Sequence, residues 1–207
     1  VTDVFTIVRF FEEGRDGFAK ASMAFIGFSV LFQFLMVYAQ NKKLGMKAVA
    51  FEMLIVITLL KPAMDAHRVA NGTENEANAL FEPSTELTCT KMGEIFAESI
   101  PSGVLQTYAL FGAKEVKVSA VLSIVSSAFT IAYSGATISL DFDTDPMKRS
   151  NAPSFYGYVP DTNRVQVLAV LTLITVTHVL MKMVACSLMI RVSRSMFLQY
   201  FLGDMGL

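Results

Sequence analysis

Between Lys117 and Asp141 the chain runs for 23 residues, Val118 to Leu140, without one charge. At about 1.5 Å of rise per residue, a helix of that length covers a hydrocarbon core of about 30 Å. The fold must therefore be one for which a bilayer is the solvent. The run is not apolar all round. At about 100° per residue, Ser119, Ser123, Ser126, Ser127, Thr130, Ser134 and Thr137 share an arc of about 100° with Tyr133 at its edge, while Val121, Leu122, Ile124, Val125, Phe129 and Leu140 lie elsewhere. One face of this helix meets something other than lipid tails. Two readings of the stripe stand: a polar surface, or a small-residue face for close helix packing with hydroxyls bonded across helices or to their own backbone.

Composition agrees with a membrane setting. Hydrophobic residues make up 53% and charged residues 17%, with mean hydropathy +0.50, where soluble domains carry about 25% charge. One membrane domain over residues 1–207 is the economical organisation. A net charge of −1 and a pI near 6.2 provide no basic face for nucleic acid. Cys89 and Cys186 make no disulfide framework or CxxC site. The chain opens on Val1 without a basic segment leading into a short apolar core, which reads as a processed product or a piece of something longer.

The expected fold class is all-α, a polytopic transmembrane bundle of about four spans with one part-embedded or re-entrant helix and an N-terminal amphipathic helix. The amphipathic helix covers 1–20, with Val1, Val4, Phe5, Val8 and Phe11 at helical spacing. Spans are expected at 21–41, 46–64, 118–140 and 165–190. The second needs Lys47 and Lys61 to snorkel, or a kinked passage through Pro62. The first carries a polar stripe of its own in Ser22, Ser29, Gln33 and Gln40. Residues 62–91 read as the main connection, where Asn71-Gly72-Thr73 is a glycosylation acceptor pattern. Residues 92–111 are interrupted by Glu94, Glu98, Pro101, Gly103 and Gln106, and a charge at the bilayer centre costs about 2.5–3.5 kcal/mol on insertion scales. A part-embedded helix answers that cost. The basic residues then divide 10 to 6 in favour of both chain ends lying in the cytoplasm. In the loop after Pro146, the aromatics Phe155, Tyr156 and Tyr158 suit the headgroup level.

Charges at membrane depth are the candidate chemistry. Glu52 is an intramembrane acid that needs a partner, for which His178 and Lys182, one turn apart on the last span, are the candidates. Glu94 and Glu98 repel at i,i+4 unless a base, an aqueous cavity or a headgroup meets them. Lys61 pairs locally with Asp65, and Lys61 and Arg68 are candidates for headgroup contact. Asp141, Asp143 and Asp145 lack the Gly and Glu of a calcium loop and read as a solvated turn. No GxSxG, HExxH, P-loop or GxGxxG occurs, so neither an enzyme nor a cofactor is expected.

The run Lys91-Met92-Gly93-Glu94-Ile95-Phe96-Ala97-Glu98-Ser99-Ile100-Pro101, then Leu105-Gln106 and an apolar helix ending near an acid, resembles the XK-related family of membrane proteins. That resemblance implies a helix dipping part-way into the bilayer around Glu94, Glu98 and Pro101, and it implies lipid scrambling, since the family includes scramblases. On this reading the function is passive transport. A polar groove formed by Ser119, Ser123, Ser126, Thr130 and Ser134, with Glu52, Glu94, Glu98, Pro101, His178 and Lys182 along the path, lowers the cost of moving a headgroup or ion across the core. Membrane lipids are the expected partners, and a homodimer or larger complex would enclose the path. The alternative is a structural or assembly subunit of a membrane complex, whose stripes are packing faces.

Overall fold

The computed structural model describes residues 2–58, 60–71, 81–113, 115–159 and 161–204. Every regular element among them is helical. Two compact units form, one from Thr6–Pro101 and one from Ser102–Leu207 together with the first residues of the chain.

The helix α1 (Thr2–Glu12), which enters the first unit at Thr6, stops sooner than its amphipathic pattern implies, because Glu13 and Gly14 close a turn and α2 (Asp16–Asn41) begins at once. Residues 16–20 therefore belong to the long helix. The 26 residues of α2 are inside out by the standards of a soluble protein. Its buried face holds Ser22, Ser29, Gln33 and Gln40, and its exposed face holds Met23, Phe28, Leu31, Leu35 and Tyr38. Apolar side chains turned outward and polar ones turned inward are stable only where the surroundings are apolar.

The expected second span is not one helix. The first piece, α3 (Met46–Ile57), has 12 residues, about 18 Å, which is too short to cross alone. Leu60 precedes α4 (Lys61–Ala70), in which Pro62 occupies the first turn. Proline is tolerated there because that N–H has no intrahelical acceptor, whereas passage through Pro62 from α3 would have cost a hydrogen bond and a clash. The expected loop after it is also largely helical: α4 covers its first part and α5 (Pro83–Glu94) its last. Of the glycosylation pattern, Gly72 and Thr73 lie outside the described residues.

A π-helical turn, Ile95–Ser99, joins α5 to α6 (Ile100–Phe111), and the Ile100 N–H donates to the Ile95 carbonyl. Pro101 supplies the cause, since its ring cannot sit over the carbonyl four residues back in a regular helix and a wider turn relieves that contact. Gly93 lets this segment meet α2 closely. A Cβ there would lie 2.0 Å from Cε1 of the Phe32 ring. We expect Gly93→Ala to push the Phe32 ring aside and destabilise the unit by about 1–3 kcal/mol. Thermal unfolding in detergent checks this, and an unchanged transition would mean that the ring simply rotates away.

In the second unit, α7 (Val118–Thr144) packs chiefly on α9 (Arg164–Val192), with α8 (Pro146–Asn151) between them and α10 (Arg194–Asp204) after them. The packed face of α7 is Ala120, Ile124, Ala128, Ile131, Ala132 and Ala136, a small-residue surface that lets two backbones approach. The first turn of α6 seats on α9, where the Ser187 hydroxyl donates to the Val104 carbonyl at 3.1 Å. Gly103 makes room for Met183 at the same place. By length and composition α2, α7 and α9 can each cross a membrane.

Candidate functional site

The first unit holds a buried ionic network. Lys61, 1% exposed, donates to Asp65 Oδ1 and Glu86 Oε1 at 2.6 Å each, and Glu52 Oε2 lies 3.0 Å from the same ammonium. Arg68, about one-third exposed, donates to Glu52 Oε1 and approaches Asp65 Oδ1 at 3.5 Å. Gln40 ties the network to α2: its Nε2 donates to the Phe81 carbonyl at 2.8 Å and to Glu86 Oε2 at 3.3 Å, and its Oε1 accepts from the Phe81 N–H. Elements α3, α4 and α5 are thus joined through one ammonium, and α2 through Glu86.

Burial alone would discharge Lys61, yet its hydrogen bonds and charge contacts with Asp65 and Glu86 outweigh that and hold it above the ordinary lysine value. Burial pushes the Asp65 carboxyl up against the pull of Lys61, and its Oδ2 has no hydrogen-bond partner. Both groups sit on α4, which is outside the three membrane-length helices.

This geometry corrects two expectations. Glu52 finds its cations in Lys61 and Arg68, both on α4, the next helix of the same unit, and so does not depend on His178 and Lys182. Lys61 is enclosed by carboxylates and cannot reach headgroups, while the i,i+4 pair with Asp65 is present. Arg68 keeps a partly exposed edge. Glu86 and Gln40 were the residues the sequence concealed. They lie 25 and 21 positions from Lys61, and no helical spacing links them to it.

Glu94 lies at the end of α5 and Glu98 in the π turn, both half-buried, and Pro101 closes that unit. In the second unit the hydroxyl arc of α7 lies beside the packed alanine face, not on it. Ser119, Ser126 and Thr130 are exposed, and Ser123, Ser127, Ser134 and Thr137 are half-buried. Thr130 and Thr137 donate to the carbonyls of Ser126 and Tyr133 on their own helix. Ser123 Oγ instead donates to Gln106 Oε1 at 2.9 Å, and Gln106 Nε2 donates to Ser102 Oγ at 3.2 Å. The glutamine that follows Pro101 in the sequence motif is therefore bonded to the stripe. On α9, His178 is exposed and Lys182 half-buried.

Helices long enough to cross a bilayer, with polar residues buried and large apolar ones facing outward, define an integral membrane protein. The family model described as XK-related protein matches residues 1–199. The chain belongs to the XK-related family. No curated protein and no solved structure matches it.

Proposed function

We propose that this protein is a passive lipid scramblase of the XK-related type, in which the hydroxyl arc of α7 is the surface that headgroups follow. The observation that carries the reading is the direction of that arc. The buried face of α7 is made of alanines with isoleucines among them, so the serines and threonines are left beside it, exposed or half-buried along a helix of membrane length. A polar group crossing hydrocarbon without a partner costs several kcal/mol, and a ladder of hydroxyls offers partners at each turn. Glu98, in the π turn ahead of Pro101, is the acidic residue most tied to the motif. No covalent bond is made or broken, and no cofactor is called for. Lipids are the partners, and a second copy of the chain would close the groove.

The test is transbilayer movement of fluorescent lipid in vesicles holding the purified chain. Wild type should scramble, and Glu98→Ala should slow it by about tenfold, equivalent to ~1.4 kcal/mol in the barrier. An inactive wild type would sink the proposal, while activity untouched by the substitution would remove Glu98 from the mechanism.

A second reading has one observation in its favour. Thr130 and Thr137 already satisfy their hydroxyls on their own backbone, which suits a face meant to pack on a helix of another subunit. An assembly subunit would show no scrambling and would copurify in a complex through this arc.

A further inference from the structure

The end of α7 and the segment after it are held by a single carboxylate. Asp143 Oδ1 accepts the backbone N–H groups of Gly157 and Tyr158 at 2.9 and 3.2 Å, and Oδ2 accepts that of Val159 at 2.8 Å. Arg149 fastens the same place from the other side, with Nε donating to the Asp143 carbonyl at 2.7 Å and Nη2 to the Val159 carbonyl at 3.2 Å. Gly157 has φ +96°, a conformation that other residues adopt only under strain. Three charge-assisted hydrogen bonds to one carboxylate hold a loop far more firmly than its length implies. Asp143, expected to be one acid of a solvated turn, is the post on which the loop is wound.

What the loop presents is aromatic. Phe155 is 78% exposed and Tyr158 73% exposed. A loose loop could fold such rings away from water, but this backbone is tied down beneath them. The Tyr158 hydroxyl donates to the Ser154 carbonyl at 2.7 Å, so the ring carries no unmet donor outward. The loop also leaves α7 and enters α9 where their uncharged lengths end, at the level of the Asp141–Arg164 ion pair, 3.0 Å apart. In a helix pair that crosses a bilayer, the end of the uncharged length falls at the boundary between headgroups and acyl chains, where aromatic side chains are most stable.

We propose that residues 152–159 are a preformed bilayer anchor that places Phe155 and Tyr158 at the headgroup–acyl boundary, and that Asp143 holds it in the inserting conformation. The occupant is a lipid surface, because the rings continue directly from two membrane-length helices. Anchored there, α7 cannot slide along the bilayer normal, and its hydroxyl arc keeps a fixed depth. The inference rests on α7 and α9 crossing the membrane, and not on scrambling.

The chain contains no tryptophan, so Phe155→Trp creates a lone reporter in the full chain reconstituted in phosphatidylcholine vesicles. Its emission should be blue-shifted from that of free aqueous tryptophan. Lipid brominated near the carbonyl end should quench it more than lipid brominated deep in the tails, and aqueous iodide should quench it weakly. Water-like emission, quenched by iodide and indifferent to brominated lipid, would overturn the anchor. Leu173→Trp, an exposed position inside α9, is the control. Quenching there by deep-brominated lipid, with none at 155, defeats the anchor alone, whereas no lipid quenching at either site defeats the crossing itself. Adding Asp143→Ala to Phe155→Trp should abolish most of the quenching at 155, and Asp143→Asn, which keeps an acceptor, should restore part of it. Full quenching in Asp143→Ala, with the Leu173→Trp signal intact in the same background, would show that Asp143 does not hold the anchor. If Asp143→Ala misfolds, Gly157→Val strains the same loop and should lower quenching at 155, and unchanged quenching there would overturn the preformed conformation.

Discussion

Replacing Lys61 by Met is expected to destabilise the first unit by about 3–5 kcal/mol, the scale seen when one partner of a buried ion pair is removed. The substitution keeps most of the side chain's length and apolar stem, so packing loss is small and the charge is what is tested. Without the ammonium, the Glu86 carboxylate retains Gln40 as its hydrogen-bond partner among the described residues. Glu52 and Asp65 must then share Arg68, which is itself partly in solvent. Two or three carboxylates would stay buried with too little positive charge, and each costs several kcal/mol in a medium of low dielectric. Unfolding followed in detergent should show the loss. Lys61→Met with Glu86→Gln should recover part of it, because one orphaned charge is gone, and a coupling near zero between the two sites would sink the network as drawn. Arg68→Met should cost less, since its guanidinium is partly exposed and exposed pairs contribute about 0–1 kcal/mol.

The pH response follows from the same contacts. Lys61 is raised in the folded chain, so its contribution is fully present below the ordinary lysine pKa and is lost as pH rises through the raised value. Asp65 is raised by burial, and a group that holds its proton more readily when folded does not make the fold acid-labile. The contribution of Lys61 should therefore be lost on the alkaline side. Lys61→Met, which lacks the titrating amine, should lose that alkaline transition.

How much of this could be read from the chain depends on the range of each interaction. The uncharged runs gave three membrane-length helices directly, because length and hydropathy are local properties. The stripe Ser22, Ser29, Gln33, Gln40 was correctly read as one face of its helix, and it is the buried face. The run from Met46 to Met64 misled because apolar content continues across Leu60, while the backbone breaks for Pro62, a steric matter that hydropathy ignores. The partner of Glu52 was sought at membrane depth on a distant helix, but a short α3 followed by a turn brings Lys61 and Arg68 back beside it. Glu86, Gln40 and Asp143 act through contacts 14 to 46 positions away, which helical periodicity does not encode.

On α7 the arc and the packed face can be separated by substitution. Changing Ser126, Thr130 and Ser134 together to Leu should leave the fold intact, since Ser126 and Thr130 face outward and Ser134 is only half-buried, and surface changes of this kind fall within about 0.5 kcal/mol each. Ser123 is left alone because it anchors Gln106. Removing Ser126 and Ser134 withdraws two hydrogen bonds of about 0.5–1.5 kcal/mol each from a passing headgroup, while removing Thr130, whose hydroxyl already donates to the Ser126 carbonyl, withdraws an acceptor only. The barrier rises by about 1–3 kcal/mol, so lipid movement should fall by about tenfold or more. Ala128→Leu makes the opposite change, overfilling the contact with α9 at about 1–3 kcal/mol while leaving every hydroxyl of the arc in place. A scramblase should lose rate in the triple variant and stability in Ala128→Leu. If the triple variant scrambles at the wild-type rate, headgroups do not travel along this arc. If it falls apart from a larger assembly without any scrambling to lose, the arc is a docking face between subunits.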